Sequence, residues 1–293
     1  MRCYRRFDAG EYRLLARVDG SLYDLTAADD ALDEFTALAR RASRRDVAVE
    51  TYARRLLSDA ELAREGESAA AVPAGATVPL VPDEVWAAGV TYEISEEARE
   101  AESGMPEIYL DVYRADRPEL FFKATAERTV GPDEAIGIRG DSDWNVPEPE
   151  LAIVLHEGEI VGYTIGNDVS SREIEGENPL YLPQAKIYDR CCALGPCVVP
   201  ATVRDDWNDL AMRMTIERDG SVVFDESTST SEMVRSHDEL VSYLLRHDVV
   251  PESTVLLTGT SLVPPDDFTL AEGDAVEITI EGIGTLANPV TTV

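Results

Sequence analysis

Two glutamates spaced two apart, and an aspartate that a hairpin could bring to them, are the residues of this chain best placed to do chemistry. Glu148 and Glu150 lie in Val146-Pro-Glu-Pro-Glu-Leu-Ala-Ile-Val-Leu155. Positions two apart on extended backbone project to the same side, and the two prolines favour that backbone. After a His156-Glu-Gly-Glu159 turn, the apolar run from Ile160 to Gly166 reads as the returning strand. Pairing Leu155 with Ile160 sets Asp168 beside Pro147, next to Glu148. Carboxylates gathered at the open end of a hairpin repel one another unless a proton or cation neutralises them. All-oxygen ligands suit a hard divalent ion, Mg²⁺ or Mn²⁺. The plain alternative is a few solvated acids in a chain with 57 of them.

The second chemical signal is compositional. Of 26 basic residues only two are lysine, Lys123 and Lys186. A lysine can lose its proton and carries a compact ammonium on a flexible stem; arginine offers neither property. In a chain cleared of lysine, the survivors are expected to be chemically required. Gly166-Asn-Asp-Val-Ser-Ser-Arg172 adds Ser170, Ser171 and Arg172 beside the acids. Those serines could equally cap a helix, and Arg172 could pair with a substrate carboxylate or with a neighbouring acid.

The elements that must position these groups are mostly short strands. Runs at 85–90, 150–155, 160–166, 194–199, 211–217, 254–258 and 275–281 are punctuated by Gly and Pro, and 93–103 and 235–246 look helical. This pattern predicts a β-rich sandwich or roll rather than a doubly wound sheet. Ahead of it, Tyr12–Val18, an Asp19-Gly20 turn and Leu22–Leu25 predict a hairpin, with helices over 29–42 and 46–65. The small-residue stretch Ala69–Gly75 separates a small N-terminal unit, 1–72, from a larger one, 73–293. The class expected is α+β, a β-rich mixed sandwich roll preceded by a small α/β domain.

A net charge of −31 repels nucleic acid and anionic lipid, and disfavours both as partners. It also strains the compact state unless salt screens it, as in a halophilic protein. The four cysteines, three of them crowded into 191–197, fit no common zinc spacing and read as buried thiols of a reducing cytoplasm. No run approaches the roughly 20 apolar residues of a membrane span. No Walker or Rossmann glycine loop is present.

Taken together, Leu120-Phe-Phe-Lys123, Glu148-x-Glu150, Gly162-Tyr-Thr-Ile-Gly-Asn-Asp168, Lys186 before Leu194-Gly-Pro196, Leu257-Thr-Gly-Thr260 and Glu281-Gly-Ile-Gly-Thr-Leu-Ala-Asn288 resemble the fumarylacetoacetate hydrolase family over roughly residues 80–293. The resemblance implies a mixed β-roll that binds Mg²⁺ through Glu148, Glu150 and Asp168, with Lys186 as an active-site lysine and Thr260 as a substrate contact. One departure matters. Where hydrolytic members carry a water-activating His and Glu, the stretch Thr91-Tyr-Glu-Ile-Ser-Glu-Glu-Ala98 has Ser95 and Ala98, although Glu96 or Glu97 could shift into the role.

The chain looks closer to a branch that dehydrates 2-keto-3-deoxy sugar acids, through Trp144-Asn-Val-Pro-Glu148 and the Ser171–Lys186 stretch. That likeness implies loss of water from a 2-keto-3-deoxy-pentonate to give 2,5-dioxopentanoate. Hydrolysis or decarboxylation of acylpyruvate- or oxaloacetate-type acids is the alternative. On the implied mechanism Lys186 is the first choice for base or proton shuttle, its pKa drawn down by burial and a nearby cation. Lys123 either fixes the substrate carboxylate or supports the metal acids. Tyr92, Gln184 and Thr260 are possible contacts to substrate hydroxyls. A homodimer or homotetramer is expected.

Overall fold

The computed structural model describes residues 1–64, 71–92 and 111–293. Arg2–Asp8 (β1), Glu11–Val18 (β2) and Ser21–Asp24 (β3) form an antiparallel meander. The expected hairpin is β2–β3, and Asp19 and Gly20 both take positive φ in its turn. β1 escapes a sequence reading because Arg-Cys-Tyr-Arg-Arg barely alternates. Two helices follow, Phe35–Ser43 (α1) and Val49–Leu56 (α2), burying Phe35, Leu38, Ala42, Tyr52 and Ala53. The second was expected to run to 65 and stops short. Asp59 and Ala60 turn back onto the Leu56 carbonyl, and Glu61–Arg64 (β4) pairs with β3 instead. A strand edge with open backbone groups outweighs helix propensity there.

Next come Ala76–Thr77 (β5), Glu84–Gly89 (β6), Glu119–Ala124 (β7), Thr129–Val130 (β8), Ile136–Ile138 (β9) and Asn145–Val146 (β10). The central hairpin is Pro149–His156 (β11) and Glu159–Asp168 (β12). Ser170–Ser171 (β13) leads into two short helices, Arg172–Glu177 (α3) and Leu182–Lys186 (α4), and then Cys192–Pro200 (β14). Ala211–Arg218 (β15), Ser221–Ser229 (β16), helix His237–Leu244 (α5), Ser253–Leu257 (β17), Ala275–Ile280 (β18) and Gly284–Thr292 (β19) complete the chain. The helix expected at 93–103 lies outside the described residues.

Among the described residues a 12-stranded mixed sheet runs β4-β3-β2-β1-β14-β12-β11-β17-β6-β7, with β5 on β1 and β8 on β14. A five-stranded sheet, β16-β15-β18-β19-β9, packs against it, which is the β-rich roll that was expected. The N-terminal strands continue the large sheet edge-on, Cys3 of β1 standing opposite Val198 of β14.

All of β11 is buried, and its two faces serve different cores. Leu151, Ile153 and Leu155 meet Met212, Met214 and Ile278 of the smaller sheet together with Leu240 of α5. Ala152 and Val154 join the cluster of α1 and α2. Each large apolar side chain so buried contributes about 1.5–3 kcal/mol. The hairpin is thus a stiff platform, and Glu148 and Glu150 stand at its end on the Ala152 side. No helix among the described residues is long and apolar enough to cross a membrane.

Candidate metal centre and active site

A bulge between Val154 and Leu155 sets the register of the central hairpin. Leu155 pairs with Ile160 as the sequence implies, but Val154 faces Gly162, and the offset persists to Pro149 opposite Asn167. Asp168 therefore opposes Glu148 rather than Pro147, and its N–H donates to the Glu148 carbonyl at 2.9 Å. A uniform register cannot foresee the extra residue of a bulge. One carboxylate oxygen from each of Glu148, Glu150 and Asp168 lies within 4.8 Å of the others, and all three residues are buried.

The cations arrive from other elements. Lys186 ends α4, whose first turn holds Pro183, and its ammonium donates to Glu148 Oε2 (2.9 Å), Asp168 Oδ2 (3.3 Å) and Ser170 Oγ (2.7 Å). Lys123 rises from β7 with no exposed surface. Its Nζ donates to the carbonyls of Val169 (2.9 Å) and Lys186 (2.5 Å) and lies 2.5 Å from Asp168 Oδ1. Arg172, at the start of α3, reaches Glu148 Oε1 at 3.2 Å. Ser171 accepts from Ile174 N at 3.2 Å and caps α3.

Protonation follows from this arrangement. Burial alone would drive a proton off Lys186, but Asp168 and Glu148 hold it well above the ordinary lysine range. The expected lowering of Lys186 is therefore not found: the facing acids outweigh burial. Lys123 is raised as well, Asp168 overcoming the burial that opposes it. Burial pushes Glu148 upward, yet Lys186 and then Arg172 bring it below the usual carboxylate range. Glu150 is the uncompensated member. Burial, then Asp168 and Glu148, lift it well above the carboxylate range despite the hydrogen bond its Oε2 accepts from Gly259 N at 2.5 Å.

A buried carboxyl forced to keep its proton by two carboxylate neighbours marks a place where positive charge is missing. An all-oxygen donor set of this size fits a hard divalent cation. Glu148, Glu150 and Asp168 thus pass the test for holding Mg²⁺ on the structure's own geometry.

One group escaped the sequence reading. Glu119 begins β7, two residues before Phe121 and hence on its side of the strand, and the Phe121 ring lies 5.5 Å from Lys186 Nζ. Its carboxyl lies against Gly89, where an added Cβ would fall 2.8 Å from Glu119 Cδ. Burial, then Glu175, raises it to about 7, while Lys186 opposes the rise.

Of the remaining expected contacts, Tyr92 lies beside the acids, Thr260 next to the glycine that binds Glu150, and Gln184 on the exposed side of α4. Tyr92 is buried beside Glu150, and its hydroxyl has no hydrogen-bond partner among the described residues. Thr260 follows Gly259 and accepts from Leu262 N at 3.0 Å. Gln184 is exposed on α4, and its carbonyl accepts from Arg139. Glu96 and Glu97 lie outside the described residues. All four cysteines are free and buried.

Residues 84–291 match the fumarylacetoacetate (FAA) hydrolase C-terminal family. The chain belongs to the fumarylacetoacetate hydrolase family. It is 63% identical over 285 residues, 97% of each chain, to a probable 2-keto-3-deoxyxylonate dehydratase of Haloferax volcanii. It is 49% identical over 220 residues, 73% of this chain and 74% of the other, to 2-dehydro-3-deoxy-D-arabinonate dehydratase of Saccharolobus solfataricus. A solved structure of 2-keto-3-deoxy-D-arabinonate dehydratase complexed with magnesium and 2,5-dioxopentanoate matches with a TM-score of 0.83 at 38% identity, covering 100% of this chain and 99% of that one.

Proposed function

We propose that this member of the fumarylacetoacetate hydrolase family is a Mg²⁺-dependent hydro-lyase that converts a 2-keto-3-deoxy-pentonate into 2,5-dioxopentanoate and water. The observation that carries the reading is the buried group of Glu148, Glu150 and Asp168 beside Lys186. It stands in a chain 63% identical to one dehydratase and similar in fold to another that holds magnesium and 2,5-dioxopentanoate.

Glu148, Glu150 and Asp168 hold the cation in this reading. When bound, it supplies Lewis-acid polarisation to the carboxylate and 2-oxo oxygens of the substrate, which acidifies the C3 protons. The chain's own residues do the rest. Glu119 as carboxylate accepts a C3 proton, since a pKa of about 7 suits a group that must both take and release one. The electron pair of that C–H bond forms the C3–C4 double bond as the C4–O bond breaks. The departing hydroxide takes a proton from the Lys186 ammonium and leaves as water. A proton shift from C5 to C3 gives the C4–C5 enol, and transfer of the enol hydroxyl proton to C4 then yields the aldehyde.

Lys186 acts here as donor rather than base, its ammonium pointing into the acid group through hydrogen bonds to Glu148, Asp168 and Ser170. Lys123, its ammonium engaged by Val169, Lys186 and Asp168, is a positioning residue for the acids. Tyr92, Ser170, Arg172, Gln184 and Thr260 form the surrounding substrate shell. The same proposal places the enzyme in the cytoplasm as a homodimer or homotetramer. Exposed Leu180 and Tyr181 beside α4 support association, and light scattering in high salt counts the copies.

The direct test incubates the protein with a 2-keto-3-deoxy-pentonate and Mg²⁺ in high salt and identifies the product by mass and aldehyde trapping. The expected product is 2,5-dioxopentanoate, lost on EDTA treatment and regained on adding Mg²⁺. Turnover that persists after verified metal removal ends the Lewis-acid reading.

A further inference from the structure

We propose that Glu175 recognises a hydroxyl of the substrate and so separates a hydroxylated 2-oxo acid from a plain one; the inference rests on the α-oxo-acid reading above. Glu175 follows Arg172 by three positions on α3, so the two share a side of the helix. Arg172 on that side touches Glu148. The helix is pinned at its start. Ser171 Oγ accepts from Ile174 N and bonds Ser142 Oγ at 2.7 Å, and Arg172 N donates to the Trp144 carbonyl at 2.9 Å.

At that fixed position, Glu175 Oε2 is buried and has no hydrogen-bond partner among the described residues. Buried acceptors are rarely left so, because removal from water is uncompensated. The nearby ammonium of Lys186 makes its hydrogen bonds to Glu148, Asp168 and Ser170 instead. Glu175 nevertheless sits close enough to act electrostatically on both Glu119 and Lys186. The indole Nε1 of Trp144, on the strap that holds α3, is a second buried polar atom without a partner among the described residues.

An orphaned carboxylate oxygen needs a donor. The carboxylate and 2-oxo groups of the substrate have none to offer. Its hydroxyls at C4 and C5 do.

The experiment compares wild type with Glu175→Ala and Glu175→Gln, using a 2-keto-3-deoxy-pentonate as substrate and 2-oxopentanoate as a competitive inhibitor that lacks both hydroxyls. The alanine variant is expected to raise KM for the substrate about tenfold while the inhibition constant of 2-oxopentanoate stays within about twofold. The glutamine variant keeps an oxygen acceptor and is expected to recover most of the loss. If the alanine variant does not fold, Glu175→Met, similar in length and without an oxygen acceptor, takes its place with the same expected rise in KM and unchanged inhibition by 2-oxopentanoate. Equal weakening towards both ligands, or an unchanged KM, overturns the role of Glu175. Wild type that binds neither ligand overturns the α-oxo-acid reading itself, and this inference with it.

Discussion

Glu119 stands at the boundary between its two protonation states, and that gives the residue scale its clearest test. As the base it acts only when ionised. Below its pKa it carries a proton and is idle, so kcat climbs as pH rises through a midpoint no higher than about 7. Glu119→Gln should remove that ascending limb and lower kcat by about 10²–10⁴. A pH–rate profile in which the variant keeps the limb assigns the base elsewhere. Glu148, Glu150, Asp168 and both lysines were legible from type and spacing, because each departs from what a solvated surface needs. Glu119 was not, for one acid among 57 carries no signal until its strand is known. The partners of Lys186 were hidden for a related reason: a sequence shows that a lysine is scarce, not which acids will face it.

At the scale of elements, the turn after β17 shows how backbone geometry supports the centre. Gly259 takes φ +84, a conformation that glycine adopts without penalty, and its N–H binds Glu150. An added Cβ would crowd Thr91 Oγ1 and lie 2.9 Å from the Ala88 carbonyl oxygen. Gly259→Ala is therefore expected to destabilise the protein by about 1–2 kcal/mol and to weaken Mg²⁺ binding. Thermal melts and calorimetric titration with Mg²⁺ check both effects; an unchanged pair of values would mean the turn relaxes at no cost.

Apolar strands were readable to within a residue or two, as with 150–155 against Pro149–His156 and 275–281 against Ala275–Ile280. The 235–246 helix likewise appears as His237–Leu244, capped by Ser236. β16 was invisible. It is an edge strand with a largely exposed Ser/Thr/Asp/Glu composition, and pairing with β15 rather than burial makes it a strand. The bulge at Val161 of β12 was hidden for the same kind of reason, since it shows only against the partner strand β11.

Across the whole molecule, a net charge of −31 acts against compactness. Its repulsion is long-ranged in dilute buffer and short-ranged in brine, where the Debye length shrinks to about 3 Å at 1 M. The melting temperature should rise by more than about 5 °C between roughly 0.1 M and 2 M KCl, chiefly through screening. A flat or falling trend in calorimetry would show that local pairs such as Arg213–Asp225 and Arg218–Asp274 already discharge the repulsion.

The way the N-terminal strands join the rest has a consequence of its own. β14 holds Asp168 against Cys192 on one flank and receives β1 on the other. Stripped of that neighbour, the Val198 end of β14 would be an open edge, the usual invitation to pair with another copy. The leading segment is thus a seal as well as an appendage. It closes the far end of the strand whose near end, Cys192, lies between β8 and Asp168.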